Sequence, residues 1–272
     1  MLYQKFMPEG WNYEVDENVN IDKIEEALAS GKILQSKVTN CDDCGNLYIR
    51  FNKNTKGIIP FNEVEAFKVN DHGLPEKGIC FNKVNKVIQF QVVNKNDEGQ
   101  YILSRKKVGN RAKEWIFSEV KQGDILHGIV KDIKNYGAFI EIGGGLTGLV
   151  YIEDLSIARI KSPEERLKIG QKVEVMIKSI NSKENKISLS YKETLGTWEE
   201  NAMKFHEGLV VPGIIRETEK NKRGIFIEIT PNLIGMAEYE DGYIYGQKIM
   251  VNIKKIIPQK KKIKLEIIKE RI

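Results

Sequence analysis

Residues 123–151 read GDILHGIVKDIKNYGAFIEIGGGLTGLVY, and this stretch decides the fold. It contains three short apolar segments that are separated by a polar turn and by glycines. Downstream, Val173, Val175 and Ile177 alternate with polar residues, and a further short segment covers 186–190. Alternation with a period of two is typical of strands with one buried face. The unit therefore predicts five short strands, which fit a small closed barrel of the OB type.

The same order of landmarks recurs along the chain, which indicates tandem repeats. GIFIEI at 224–229 parallels GAFIEI at 137–142, and GQKI at 246–249 parallels GQKV at 170–173. A fainter copy lies upstream, with predicted strands at 31–38, 45–51, 57–60, 86–93 and 101–104. Helical patterns separate the copies. The predicted fold class is all-β with short helical connectors, forming three tandem five-stranded OB-fold barrels.

These landmarks divide the chain into six predicted segments. Two tryptophans, Trp115 and Trp198, occupy equivalent connector positions and predict packing of each connector against a barrel. The segments are an N-terminal arm and helix at 1–29, a divergent barrel at 30–108, a connector at 109–120, the clearest barrel at 121–193, a second connector at 194–207 and a third barrel at 208–272.

The composition limits the class of protein. Of 272 residues, 30% are charged and 41% are hydrophobic, which excludes a membrane protein and a fully disordered chain. The first residues carry no apolar signal segment, and three cysteines do not suggest a disulfide framework. We therefore expect a cytoplasmic protein.

The charge is spread unevenly. Residues 1–30 carry two lysines against seven acidic residues, whereas 248–272 carry nine basic residues against two. Such asymmetry often marks a binder of polyanions. The alternative, lysines that merely solvate exposed strand faces, stays open on charge alone.

The middle copy resembles the RNA-binding repeat of bacterial ribosomal protein S1, which also occurs in polynucleotide phosphorylase and in ribonucleases. The resemblance rests on the order and spacing of its landmarks, and the third copy is similar over most of them. It implies OB-fold barrels that bind single-stranded RNA. The matching landmarks are Gly128-Ile129-Val130, Tyr136-Gly137-Ala138-Phe139, Gly148-Leu149-Val150, 169–173 and 187–190.

The resemblance also implies which residues form the RNA face. The family uses two aromatics, a His, an Asp and an Arg there. Tyr replaces the His in this sequence, Asn replaces the Asp and Lys replaces the Arg. The corresponding residues are Tyr136, Phe139, Tyr151, Asn181 and Lys186.

The other two copies are poorer matches. In the third copy, only Phe226 and the cation Lys262 match the RNA face of the family. The five corresponding positions hold Arg223, Phe226, Glu238, Pro258 and Lys262. In the first, Cys44, Leu47 and Pro60 replace the rings. We therefore interpret the first barrel as a structural or protein-contacting module.

The chemistry of the middle copy supports the same function. Aromatic side chains on one barrel face form a platform for bases, and each stacked base contributes about 1–3 kcal/mol. Three further lysines, Lys131, Lys134 and Lys178, are predicted to contact phosphates. Burial of Tyr136 and Phe139 in the core or against a connector is the alternative.

Other chemical signals are weak. Cys41, Cys44, His72 and Cys80 are too loosely spaced for us to predict a metal site, and zinc is kept as an alternative. The G-x-G-x-x-G at 143–148 is interpreted as a hairpin loop. His127 and His206 have no visible catalytic partner. We predict no cofactor and no enzymatic activity.

The functional prediction is a non-catalytic binder of single-stranded RNA that acts in translation, mRNA handling or RNA turnover. Its partners would be RNA and possibly ribosomal or RNA-decay proteins, with no membrane. The alternative is a protein–protein scaffold that docks on a ribosome or ribonuclease and has little affinity for free RNA.

Overall fold

Three closed five-stranded barrels follow one another in a computed structural model, which describes residues 3–13, 20–218 and 224–268. In each barrel the strands neighbour one another in the order first, second, third, fifth, fourth. The third and fifth strands pair in parallel and the others antiparallel. This topology confirms the predicted fold class. No helix in these ranges is long and apolar enough to cross a membrane.

The strands have the lengths typical of small barrels. Barrel 1 consists of β1 (Ile33–Cys41), β2 (Leu47–Arg50), β3 (Lys56–Ile59), β4 (Val87–Lys95) and β5 (Tyr101–Ser104). Barrel 2 consists of β6 (Ile125–Lys134), β7 (Gly137–Gly143), β8 (Leu146–Tyr151), β9 (Lys172–Asn181) and β10 (Lys186–Ser190). Barrel 3 consists of β11 (Val210–Thr218), β12 (Ile225–Thr230), β13 (Leu233–Ala237), β14 (Lys248–Ile257) and β15 (Lys262–Ile267).

Within the described residues, four α-helices accompany the barrels: α1 (Ile21–Ser30), α2 (Lys77–Phe81), α3 (Arg105–Glu119) and α4 (Trp198–Ala202). Helix α3 begins directly after β5, four residues before the predicted connector, because the Ser104 side chain accepts a hydrogen bond from the Lys107 N–H and caps it. Trp115 of α3 is buried in the core of barrel 2, and Trp198 packs partly buried against the core of barrel 3. Both connectors therefore pack as predicted.

The N-terminal arm, residues 3–13, packs against barrel 2 although barrel 1 follows it in sequence. Phe6 is buried in the core of barrel 2. The Gln4 side chain accepts from the His127 N–H at 2.8 Å and donates to the Ile142 carbonyl at 2.9 Å. The arm thus joins two strands of barrel 2 across more than a hundred residues of sequence.

A bulge at the same place in the first strand of every barrel aligns the three units. It falls between Val38 and Asn40, between Val130 and Asp132, and between Ile215 and Glu217. In this alignment Tyr48 occupies the position of Phe139 and Phe226. The prediction that Leu47 replaces Phe139 is therefore wrong, because the bulge sets the register and Leu47 is buried where barrel 2 has Ala138.

Barrels 2 and 3 each bury one glutamate at an equivalent strand position, Glu141 and Glu228. In each of these barrels the residue at the bulge, Lys131 or Arg216, places its cationic side chain beside the buried glutamate. Lys131 Nζ lies 2.7 Å from Glu141, and Arg216 Nε donates to Glu228 at 2.5 Å. In both barrels, the part of the chain that precedes the barrel also binds this glutamate. Glu141 accepts a hydrogen bond from the Glu9 N–H of the arm at 2.8 Å, and Glu228 accepts one from Arg166 of barrel 2 at 2.6 Å.

The junction between barrels 1 and 2 is centred on Arg105, whose side chain is buried. Its guanidinium donates to Glu9 at 2.7 and 3.0 Å, and its Nη1 lies 3.2 Å from Glu65. Burial alone would raise the pKa of Glu65, but the charges of Arg105 and Lys83 outweigh it and hold that pKa at about 2. In contrast, burial and the neighbouring Glu9 raise the pKa of Glu141.

Replacing Glu65 by Gln would leave Arg105 and Lys83 with less compensating charge. We expect Glu65→Gln to lower the free energy of unfolding by about 3 kcal/mol at pH 7. The pKa of Glu65 in the folded state is about 2, below the model-compound value of 4.5. Its stabilisation is therefore complete above that ordinary value and is lost as the pH falls through about 2.

Urea unfolding of both proteins at pH 7 and at pH 3 measures this effect, and the difference should shrink at the lower pH. Glu98→Gln, in an exposed turn, is the matched control and should change stability little. A Glu65→Gln loss that stays constant down to pH 3 would contradict the assignment.

The hairpin loop Gly143–Gly145 brings barrel 2 against α3. All three glycines have positive φ, and a Cβ on Gly144 would lie 2.6 Å from the Cβ of Ala112. The loop connects β7 and β8, as predicted for the glycine-rich stretch. Close approach of the helix therefore requires glycine here.

We expect Gly144→Ala to destabilise the protein by about 3 kcal/mol, because a positive φ and a steric overlap combine there. Gly170→Ala is the control, since Gly170 also has positive φ but faces open space. It should cost only about 1 kcal/mol. Urea denaturation of both variants compares them, and equal losses would show that the contact with α3 is unimportant.

Candidate nucleic-acid interface

Three aromatic side chains gather at one end of the outer face of barrel 2. Tyr136 lies in the turn between β6 and β7 and is 47% exposed, whereas Tyr151 ends β8 and is 40% exposed. Phe139 is half-buried, and its ring meets that of Tyr136 edge to face with centroids 6.4 Å apart. The structure thus brings together the three aromatics predicted from the sequence and leaves ring surface open to solvent.

Backbone packing explains why these rings lie close together. Gly137 pairs with Tyr151 across β7 and β8, and a Cβ on Gly137 would lie 2.3 Å from the Val150 carbonyl oxygen. The Ile152 N–H donates to the Tyr136 carbonyl at 3.0 Å. Glycine therefore allows the turn that carries Tyr136 to close onto the end of β8.

A row of outward-facing residues extends from this group across the barrel. Phe139 pairs with Leu149, and Leu149 pairs with Ser188. The corresponding row is Phe226, Met236 and Lys264 in barrel 3. In barrel 1 it is Tyr48, Ile58 and Ile102. Each barrel thus has one aromatic in the row, but among the described residues only barrel 2 adds exposed tyrosines at its end.

The predicted residues Asn181 and Lys186 lie opposite each other across the hairpin between β9 and β10. Lys186 is 75% exposed, and its ammonium lies 2.7 Å from the exposed carboxylate of Glu184. Lys134 makes a similar exposed pair with Asp132 at 2.9 Å. Exposed pairs of this kind contribute little energy, so both lysines can exchange their partner for a phosphate.

The other two predicted lysines are held by buried carboxylates. Lys131 contacts Glu141 at the junction with the arm, and Lys178 lies 2.6 Å from Asp154. Asp154 is only 3% exposed and also receives Lys192 at 3.4 Å. Releasing either lysine would leave a carboxylate buried with less compensation, which is costly.

Barrel 3 offers a different surface. Phe226 is half-buried, Lys262 is exposed opposite Ile257, and Arg223 lies outside the described residues. Several exposed lysines on β14, β15 and the turn between them face solvent there. The spacing of the landmarks did not identify Lys264 or Met236, because their place in the row depends on the pairing of β13 with β15.

The three cysteines and His72 differ in their burial. Cys41 and Cys80 are buried, whereas Cys44 and His72 are exposed, and all three cysteines are free thiols. Asp42 in the intervening turn accepts from the Tyr48 hydroxyl and the Asn46 amide, each at 2.9 Å. Within the ranges described, no group of three or more His, Cys, Asp or Glu side chains could hold a metal ion.

Comparison with known proteins supports the interpretation of barrel 2. A model of the "S1 RNA binding domain" family matches residues 119–192. Over 224 residues the chain is 32% identical to small ribosomal subunit protein bS1 of Staphylococcus aureus strain N315, covering 80% of this chain and 54% of that protein. The corresponding protein of Staphylococcus epidermidis is 29% identical over 234 residues, with coverages of 84% and 56%.

Among solved structures, the solution structure of GSP13 from Bacillus subtilis is similar at 26% sequence identity, covering 32% of this chain and 73% of that chain with a TM-score of 0.27. The chain spans about half the length of the curated relatives it matches. The matched domain coincides with barrel 2, which carries the aromatic group. Residues 119–192 therefore match the S1 RNA-binding domain family, and this domain is the middle one of three tandem five-stranded barrels.

Proposed function

We propose that this protein is a non-catalytic binder of single-stranded RNA, which acts in translation, mRNA handling or RNA turnover. The observation that carries the proposal is the group of Tyr136, Phe139 and Tyr151 with open ring surface on the S1-type barrel. Stacking on aromatic rings tolerates any base, since every base has a flat face. The similarity to proteins named bS1 supports a role near the ribosome, which we propose as the site of action.

Lys134 and Lys186 supply the phosphate contacts nearest to the rings. Both are exposed and paired only with exposed carboxylates, so binding RNA costs them little. Asn181, beside Lys186, supplies a neutral amide where the family uses an aspartate. Phe226 and Lys262 of barrel 3 extend the surface more weakly, because no exposed tyrosine accompanies them among the described residues.

The second candidate is a protein–protein scaffold. It is favoured by the aliphatic row Ile58 and Ile102 on barrel 1, where the Tyr48 hydroxyl is already bonded to Asp42. Such a face suits a protein partner better than bases. The scaffold function predicts little affinity for free RNA.

Removing two rings tests the first candidate. We expect Tyr136→Ala with Phe139→Ala to weaken binding of a labelled single-stranded RNA at least about 30-fold, since two stacked bases contribute about 2 kcal/mol or more. Fluorescence anisotropy measures the affinity. The matched control is Tyr3→Ala with Phe81→Ala, an exposed Tyr and Phe elsewhere in the chain, which should leave the affinity unchanged. Equal affinities of all three proteins would refute the proposed face.

The ion pairs distinguish two predicted lysines. We expect Lys186→Gln to make the slope of log affinity against log salt less negative by about 0.7, the contribution of one phosphate on a single strand. Lys178→Gln should leave this slope unchanged and instead destabilise the fold, because Asp154 loses its nearest cation. Anisotropy titrations at three salt concentrations, with a thermal melt of each variant, measure both effects. The reverse pattern would show that Lys178 contacts the RNA.

A further inference from the structure

A cleft of about 870 Å³ lies between barrel 1 and barrel 2. One wall comes from barrel 1 and includes Phe67, Lys68 and Lys86. Helix α3 adds Lys113, and the opposite wall comes from barrel 2. The cleft is therefore formed by three parts of the chain that the Arg105 junction holds together.

Positive charge exceeds negative charge in this cleft. Seven Lys and Arg side chains line it, against four carboxylates. Three of those carboxylates, Glu9, Glu65 and Glu141, are buried and engaged with Arg105 or with the lysines beside them. The fourth, Asp132, pairs with Lys134.

Three cations in the cleft, Lys68, Lys86 and Lys113, form no ion pair within 4 Å in the described part of the chain, although Asp132 lies in the field of the first of them. The ammonium of Lys113 lies 5.9 Å from the ring of Phe117, a weak attraction that does not neutralise its charge. Like charges gathered on facing walls repel one another, and a polyanion between them relieves that repulsion. The cleft is thus suited to a negatively charged ligand.

The cleft is continuous with the aromatic group of barrel 2. Tyr136 and Phe139 form part of its lining, and so does Asn185, which precedes Lys186 in the hairpin. A ligand in the cleft therefore meets both flat rings and ammonium groups. Single-stranded nucleic acid combines a stacking group with a phosphate in every unit, whereas an acidic peptide offers only the charge.

We propose that an RNA strand whose bases stack on Tyr136 and Phe139 runs through this cleft, with its phosphates bound by Lys68, Lys86 and Lys113. The inference rests on the proposed RNA-binding function and adds the path of the strand. Barrel 1, whose own face offers a poor stacking surface, then acts as the phosphate-binding wall of a site that it shares with barrel 2.

Charge removal in the full chain tests the proposal. The test variant is Lys68→Gln with Lys86→Gln and Lys113→Gln. The matched control is Lys53→Gln with Lys107→Gln and Lys168→Gln, which removes three exposed lysines that do not line the cleft. The probe is a fluorescein-labelled 12-nucleotide oligouridine, titrated at 50, 100 and 200 mM salt.

We expect the cleft variant to make the salt slope less negative by about 2, because three phosphate contacts at about 0.7 each are lost. At 0.1 M salt this corresponds to an affinity about 100-fold lower. Each single substitution should account for about 0.7 of the slope, which keeps the test valid if the triple variant is less stable. The control triple should keep the wild-type slope.

The outcomes separate the two proposals. If wild-type protein binds RNA, the Tyr136 and Phe139 variant loses affinity and the cleft variant behaves like its control, the path is overturned and the proposed function stands. If wild-type protein does not bind the oligouridine, both are overturned. If poly-glutamate of similar charge displaces the RNA as well as unlabelled oligouridine does, the cleft is a site for acidic peptides and the path is overturned.

Discussion

The buried guanidinium of Arg105 is the interaction on which the arrangement of the first two barrels depends. It bonds Glu9 of the arm, Glu65 of barrel 1 and the Val64 carbonyl, and Glu141 of barrel 2 lies in its field. Charges removed from water are costly unless they are paired, so any other orientation of the barrels would leave several of them uncompensated. The junction thus favours the geometry in which these charges are paired.

This geometry determines which surfaces can act together. The buried carboxylates of the inter-barrel cleft are paired with Arg105, Lys83 and Lys131. The other cleft lysines, Lys68, Lys86 and Lys113, form no such pair among the described residues, and Lys134 pairs only with the partly exposed Asp132. The buried charges that hold the junction together are therefore different from the charges that a ligand in the cleft can reach. Two rings of the aromatic group, Tyr136 and Phe139, line this cleft, and Gly137 allows the turn before β7 to close onto β8.

Local pattern was enough to predict the strands and the three units, since the burial of one barrel face repeats within a few residues. The resemblance to the S1 repeat identified Tyr136, Phe139 and Tyr151, which lie together in the structure. The register between strands could not be predicted from the sequence in the same way. The bulge opposite β2 places Tyr48, and not Leu47, at the position of Phe139. The sequence also did not reveal the carboxylate partners of Lys131 and Lys178, because only closure of the barrel brings Glu141 and Asp154 next to them.

The repeat therefore contains two sets of positions that vary independently. The bulge residue and the strand residue facing it dock a preceding unit, as Lys131 with Glu141 and Arg216 with Glu228. Barrel 1 has Thr39 and Arg50 there, and the Thr39 hydroxyl donates to the Tyr48 carbonyl instead. The row that begins at Phe139 faces outward and follows no such rule. The landmark glycines and apolar residues maintain the barrel, so a match at these positions indicates the fold. Docking between units and ligand binding must instead be deduced from the bulge positions and from the outward-facing row.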